Sequence, residues 1–270
     1  MSTQKTKTTV STFAAMKAEG RRISMLTCYD YTAARLLDQS NVDAVLVGDS
    51  LGNVMLGYPD TLAVTVEDMI TFGAAVVRGM SRKLVVVDMP FMSYQVSVEE
   101  AVRNAGRILK ETHCGAVKLE GGKAVAESIR RIVQAGIPVM GHVGMTPQSV
   151  MQLGGFKVQG RGEADAQAVL EDALAVEEAG AFAVVLECVP EALARLISER
   201  LSIPTIGIGA GAGCDGQVLV AQDMLGEYSD YSPKFVRRFA EFAQTKIDAY
   251  NRFDAAVKDG TFPSEKETFF

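Results

Sequence analysis

Ala116-Val117-Lys118-Leu119-Glu120-Gly121-Gly122 decides how the rest of this chain is read. Strand side chains alternate between two faces. Val117 and Leu119 form an apolar face suited to a layer of helices, while Ala116, Lys118 and Glu120 point the other way. An inner face that ends in Lys and Glu suits a closed parallel barrel near its carboxyl-terminal mouth, where barrel active sites lie. Other short apolar runs of this kind occupy residues 23–28, 44–48, 83–88, 138–142, 182–187, 204–209 and 217–221. Helical patterns fall between them at 31–39, 66–80, 98–112, 125–135, 164–179 and 190–200, with one or two more helices expected over 234–258. Strand-helix alternation of this length predicts an α/β protein, a (β/α)8 TIM barrel of eight parallel strands, rather than an open doubly wound sheet. A short helix over 11–19, capped by Ser11 or Thr12 and ended by Gly20, is expected to close the bottom.

The 270 residues suffice for one such domain, since a barrel takes roughly 250, and the expected domain is 1–270, with 1–9 as a polar amino-terminal arm. A net charge of −6 and no basic stripe argue against nucleic acid as a partner. No apolar run reaches the ~20 residues of a membrane span, and the first ten residues lack the apolar core of a secretory signal. Cys28, Cys114, Cys188 and Cys214 form no Cys-x-x-Cys pair and read as reduced thiols of a cytoplasmic protein.

Acidic residues end three of the runs: Asp49 in Val-Leu-Val-Gly-Asp-Ser, Asp88 in Val-Val-Val-Asp-Met-Pro, and Glu120. A carboxylate ending a buried strand is costly without a cation or strong donors. Three converging on one mouth suit a hard divalent ion such as Mg²⁺. Alternation places Asp49 with Val45 and Val47, Asp88 with Leu84 and Val86, His142 with Met140, and Glu187 with Ala183 and Val185, all inward. Singly, each has a bland explanation as a turn former, a cap or a satisfied core residue; together they point to a catalytic mouth. His113, near a helix end, reads as a surface residue. The run Gly211-Ala-Gly213-Cys-Asp-Gly216 matches a dinucleotide fingerprint formally, but lacks the following helix and acidic ribose ligand. It is expected instead as a glycine-rich ligand loop, with Gly207 and Gly209 leaving room inside the barrel, or else as plain tight packing. The long segment 146–162, with Lys157 and Arg161, is expected to be a lid or binding loop.

These residues sit in strings that resemble the ketopantoate hydroxymethyltransferase family: Thr27-Cys-Tyr-Asp30, Val47-Gly-Asp-Ser-Leu-Gly52, Val87-Asp-Met-Pro-Phe91, Val117-Lys-Leu-Glu-Gly-Gly122, Gly141-His-Val-Gly-Met-Thr-Pro-Gln148, Gly155-Phe-Lys-Val-Gln-Gly-Arg161, Leu186-Glu-Cys-Val-Pro190, Gly207-Ile-Gly-Ala-Gly211 and Pro233-Lys-Phe-Val236. The likeness spans residues 9 to 266 in unbroken order. Phe156, Phe72 and Ala63 depart from it, where Tyr, His and Pro are common. The resemblance implies Mg²⁺-dependent transfer of a hydroxymethyl group from 5,10-methylenetetrahydrofolate, a co-substrate, to the α-keto acid 3-methyl-2-oxobutanoate in pantothenate biosynthesis. It implies Asp49 and Asp88 as Mg²⁺ ligands with Glu120 on or near the ion, and Asp49, Ser50, Asp88, Lys118 and His142 around the substrate. Glu187 matches the family's proton acceptor; alternation alone does not separate it from His142 as the base. A cytoplasmic homo-oligomer, commonly a decamer, is implied too. The alternatives are another Mg²⁺-dependent α-keto-acid carbon–carbon lyase or phosphonomutase on the same barrel, and a non-catalytic metabolite-binding barrel.

Overall fold

The computed structural model describes residues 7–227 and 233–270. Residues 1–6 of the expected polar arm lie outside the described residues. The chain divides into two compact units, Met1–Val220 and Ala221–Phe270. In the first, the order is α1 (Val10–Ala18), β1 (Ile23–Thr27), α2 (Tyr31–Gln39), β2 (Ala44–Val47), α3 (Leu51–Val54), α4 (Val66–Gly79), β3 (Leu84–Asp88), α5 (Val98–Thr112), β4 (Ala116–Glu120) and α6 (Ala126–Gln134). It continues with β5 (Val139–Gly144), α7 (Val150–Leu153), α8 (Glu163–Glu178), β6 (Ala183–Glu187), α9 (Glu191–Arg200), β7 (Thr205–Ile208) and β8 (Gly216–Leu219). The second unit holds α10 (Ala221–Met224) and α11 (Phe242–Lys258).

The eight strands close into a barrel in sequence order, and β8 pairs parallel with β1. Two cores follow from the pleat. Met25, Ala44, Leu46, Leu84, Val86, Ala116, Met140, Ala183, Val185, Ile206 and Val218 fill the lumen. Val45, Val47, Val85, Val87, Val117, Leu119, Val139, Val143, Val184 and Leu186 belong to the outer core, with the helices. Register matters for function: it sets Asp88 beside Lys118, Glu120 beside His142 and Gly144 beside Glu187.

Helix α1 plugs the amino-terminal end of the lumen. Phe13 and Met16 are buried in the lumen core, and Phe13 meets Phe182 edge-on at 5.7 Å. Lys17 fixes the helix by ion-pairing with Asp215 at 2.8 Å. The helix starts one residue before the expected position. Its cap is Thr9, whose N–H donates to Thr12 Oγ1, so Thr12 serves from inside the first turn.

Three expectations need correction. The glycine-rich stretch 209–216 is the helix-free connection that starts at the mouth end of β7 and runs back to the start of β8, and Gly207 does not leave room inside the barrel. Asp215 within it accepts from Thr205 N–H, at the start of β7. Its glycines let the backbone press on α9, where a Cβ on Gly213 would lie 2.9 Å from Arg195 Cβ and one on Gly211 would collide with Glu191. Gly207 faces outward toward Cys214, while Ile206 and Ile208 face the lumen. In the second unit, residues 234–241 are not helical. The N–H groups of Phe239 and Phe242 donate to the carbonyls of Met224 and Leu225 rather than to an i−4 ladder. The third correction concerns Asp49 and is taken up with the site.

Phe13→Ala should lower unfolding stability by about 3–5 kcal/mol, the usual cost of deleting a buried phenyl ring. Urea denaturation followed by circular dichroism measures this; a loss below ~1 kcal/mol would show that the plug adds nothing to the lumen core.

Candidate active site

Four consecutive strands each deliver an ionisable side chain to the carboxyl-terminal mouth. Alternation from the lumen residues Val86, Ala116, Met140 and Val185 carries inward to Asp88, Lys118 and Glu120, His142, and Glu187. Asp88, Lys118, Glu120 and His142 are 5% exposed or less, so each charge must be answered by a neighbour rather than by water. The answer is a chain of contacts. Lys118 Nζ lies 3.1 Å from Asp88 Oδ1 and 3.2 Å from His142 Nδ1. His142 Nδ1 is 3.4 Å from Glu120 Oε1, and its Nε2 is 3.1 Å from Glu187 Oε2. Glu187 ends the chain with a side chain 13% exposed.

Asp49 joins the cluster by another route. The lumen residues of β2 are Ala44 and Leu46, so alternation points Gly48 inward, not Asp49, and Val45 and Val47 face the helices. The strand ends at Val47, and the turn into α3 brings Asp49 round. There its N–H donates to Asp88 Oδ2 at 3.0 Å and its Oδ2 accepts from Gln148 Nε2 at 2.8 Å. Glycine at 48 leaves room for Ser50 Oγ, which a Cβ would approach to 2.8 Å. Ser50 Oγ is 2.8 Å from the hydroxyl of buried Tyr29. The expected residues therefore assemble at one mouth, with Ser50 on its Asp49 side.

Negative charge dominates. Asp49, Asp88, Glu120 and Glu187 face two side chains that carry positive charge, Lys118 and His142. Burial raises the Asp49 carboxyl to about 8, reinforced by the charges of Asp88 and Glu120. Asp88 is raised too, chiefly by burial, although Lys118 opposes this. For Lys118, burial works against the charge, but Asp88, Glu120 and Asp49 outweigh it and hold the ammonium protonated. His142 follows the same pattern: burial and Lys118 oppose protonation, while Glu120 and Glu187 overcome both and lift it to about 9. The two carboxylates thus favour the charged imidazole, whose buried Nε2 stands beside Glu187 without a hydrogen bond of proper geometry and whose Nδ1 lies 3.2 Å from Lys118.

The donor set fits a hard divalent ion. Buried Asp88 Oδ1 has no partner in hydrogen-bond geometry, although Lys118 stands beside it, and acidic groups outnumber basic ones four to two. Among the described residues, however, no three His, Cys, Asp or Glu side chains already converge as a ligand set. Glu120 is turned toward His142 and toward the N–H of Gln148, which donates to its Oε2 at 3.0 Å. Asp49 and Asp88 meet through the Asp49 N–H, which donates to Asp88 Oδ2.

Two participants escaped sequence reading. Gln148 lies in the segment after β5, where strand alternation gives no direction; its only signal is that it closes the string Gly141–Gln148. Tyr94, in the loop after β3, carries no signal at all. It donates to Gln148 Oε1 at 2.6 Å and accepts from Glu120 N–H at 3.2 Å. Residues 146–162 are not a bare loop, because they include the turn Pro147–Ser149 and helix α7. Cys28, Cys114 and Cys214 are buried and Cys188 is half-buried, all free, as expected of packing thiols. His113 is exposed, as expected, and closes α5 with a φ of +61°.

The model of one family, described as ketopantoate hydroxymethyltransferase, matches residues 7–265. This chain belongs to the ketopantoate hydroxymethyltransferase family. The 3-methyl-2-oxobutanoate hydroxymethyltransferase of Clostridium novyi (strain NT) is 59% identical over 263 residues, covering 97% of this chain and 96% of that protein. The protein of the same name from Syntrophus aciditrophicus (strain SB) is 58% identical over 271 residues and covers both chains fully. Among solved structures, a phosphonopyruvate hydrolase in complex with oxalate and Mg²⁺ superposes with a TM-score of 0.62 at 13% identity, covering 96% of this chain and 92% of that one. A 2,3-dimethylmalate lyase of the PEP mutase/isocitrate lyase superfamily superposes at 0.61 with 16% identity, covering 98% and 93%. Those two share the barrel alone. Membership of the ketopantoate hydroxymethyltransferase family makes the chain a transferase and disfavours the lyase and phosphonomutase alternatives. Among the described residues, no helix is long and apolar enough to cross a membrane.

A carboxyl whose folded pKa is raised binds a proton that the unfolded chain has released, so it subtracts stability as pH rises between the unfolded value near 4 and the folded value near 8. Asp49→Asn removes that term and keeps an acceptor for Gln148. The metal-free variant should therefore melt higher than the metal-free parent at pH 8, and the gap should close by pH 5. A melting difference independent of pH would contradict the electrostatic reading of Asp49.

Proposed function

We propose that the chain transfers a hydroxymethyl group from 5,10-methylenetetrahydrofolate to C3 of 3-methyl-2-oxobutanoate, giving 2-dehydropantoate (ketopantoate), with Mg²⁺ as its metal ion. The observation that carries this reading is the single mouth where the buried acidic groups Asp49, Asp88 and Glu120, a buried ammonium and the partly exposed Glu187 meet. Asp49 and Asp88 would hold the ion, with Glu120 beside it. Mg²⁺ bound there supplies Lewis acidity that takes up charge developing on the substrate's keto oxygen and so acidifies C3.

Lys118 then holds the substrate carboxylate as a compact point charge, drawn partly away from Asp88. Ser50 adds a hydrogen bond from its hydroxyl or its amide, with Tyr29 fixing the hydroxyl. Glu187 removes the proton from C3. Its position at the end of the contact chain, partly open to the mouth, supports this role. His142 is the poorer base because Glu120 and Glu187 on either side favour its protonated form. It stands 3.1 Å from Glu187 Oε2, which leaves the other oxygen for the proton. The folate ring lies at the mouth under residues 146–162, where the exposed Met151 and Phe156 offer apolar surface. The four unpaired thiols and the family resemblance support a cytoplasmic enzyme, and the resemblance supports a homo-oligomer, commonly a decamer.

Steady-state kinetics with both substrates test the division of labour. Glu187→Gln should lower kcat on the order of 10²-fold or more, the scale of a lost general base. His142→Gln should cost less, because Glu187 keeps its place on β6. A near-normal kcat for Glu187→Gln beside a collapsed kcat for His142→Gln would transfer the base to His142.

A further inference from the structure

Gln148 is the most completely satisfied side chain in the site, and nothing in the proposed reaction uses it. It is 5% exposed and sits in the turn Pro147–Ser149, two residues into the long segment that follows β5. Its Nε2 donates to Asp49 Oδ2 at 2.8 Å and to the Met89 carbonyl at 3.0 Å. Its Oε1 accepts from Tyr94 OH at 2.6 Å and from Gln95 Nε2 at 3.3 Å. Its backbone N–H donates to Glu120 Oε2 at 3.0 Å. These partners fix the amide's orientation: reversed, its oxygen would face a carboxylate and a carbonyl, and its NH₂ would face Gln95's amide donor. Tyr94 closes the circuit by accepting from Glu120 N–H at 3.2 Å.

The circuit has two consequences. First, one residue occupies an oxygen on each of two acidic side chains, Asp49 Oδ2 and Glu120 Oε2. That leaves Asp49 Oδ1 for a ligand and keeps Glu120 Oε1 on His142. Second, three separate pieces of chain are bound together: the turn after β2, the loop after β3 and the start of 146–162. Proton donors that hold a carboxylate's second oxygen set both its angle and its basicity toward a metal ion, and losing one typically costs 10–100-fold in affinity.

We infer that Gln148 is a positioning residue that aims the Asp49 and Glu120 carboxylates for the cation and ties the placement of residues 146–162 to the occupancy of that site. The inference rests on the proposed Mg²⁺ role. Cation binding draws on Asp49, Asp49 is fixed through Gln148, and Gln148 anchors the base of the segment that carries exposed Lys157 and Arg161. Occupancy of the site is thereby transmitted to the segment over the reaction mouth.

The test uses the full chain with Gln148→Met, which preserves side-chain length and the backbone N–H but removes the amide. Mg²⁺ titration by calorimetry without substrates should show a dissociation constant raised at least tenfold. In the parent, Mg²⁺ should slow tryptic cleavage at Lys157 and Arg161; in the variant that protection should vanish. Tyr94→Phe, which removes one hydroxyl from the far side of the circuit, should shift Mg²⁺ affinity the same way by a few-fold and decides the matter if Gln148→Met does not fold. Parent-like Mg²⁺ affinity and protection in a folded variant would overturn the inference and leave the proposed function standing. A parent that binds no Mg²⁺ would overturn both.

Discussion

The structure depends on holding acidic groups at the closed rim of a parallel barrel. Buried carboxylates are tolerated only where cations or donors meet them. Here strand register supplies the partners. Asp88 lies opposite Lys118 and Glu120 opposite His142 on neighbouring strands, so each charge meets its counterpart without a long side-chain search. The compensation is incomplete, since acidic groups outnumber basic ones four to two. Such a remainder suits a rim meant to receive a charged ligand better than one built for stability alone.

Much of this was legible in the sequence because period-2 alternation is a strong constraint on barrel strands. Asp88, Lys118, Glu120, His142 and Glu187 follow lumen residues of the same parity, and the structure sets them at one mouth. Asp49 reached the right place by the wrong route. Its strand stops at Val47, alternation no longer applies, and the turn after Gly48 does what the pleat does elsewhere. Gln148 and Tyr94 were invisible for the same reason. They act from loops, and a loop side chain's direction is set by tertiary contacts that no periodicity encodes. The glycines at 209–216 show a different ambiguity. Their spacing resembles a ligand loop, but close packing on α9 requires the same absence of Cβ.

Residues 234–241 show a related limit. Their composition permits helix, but the carbonyls of Met224 and Leu225 capture the N–H groups of Phe239 and Phe242. Propensity is a weak prior where a competing acceptor stands nearby. At the level of the fold, barrels of other chemistry superpose closely at 13–16% identity, which shows how little of the chemistry resides in the architecture. What distinguishes this chain is its set of rim side chains and the loops that orient them, all within the residues 7–265 that the family model matches.

The central claim is that the rim, with its cation, makes C3 of an α-keto acid acidic enough for Glu187 to deprotonate. Exchange of the C3 proton of 3-methyl-2-oxobutanoate in D₂O, followed by proton NMR with enzyme but no folate, tests this directly. The account predicts enzyme-dependent loss of the C3 signal that requires Mg²⁺, stops with EDTA and is abolished in Glu187→Gln. Exchange at an undiminished rate in chelator, or in Glu187→Gln, would contradict it.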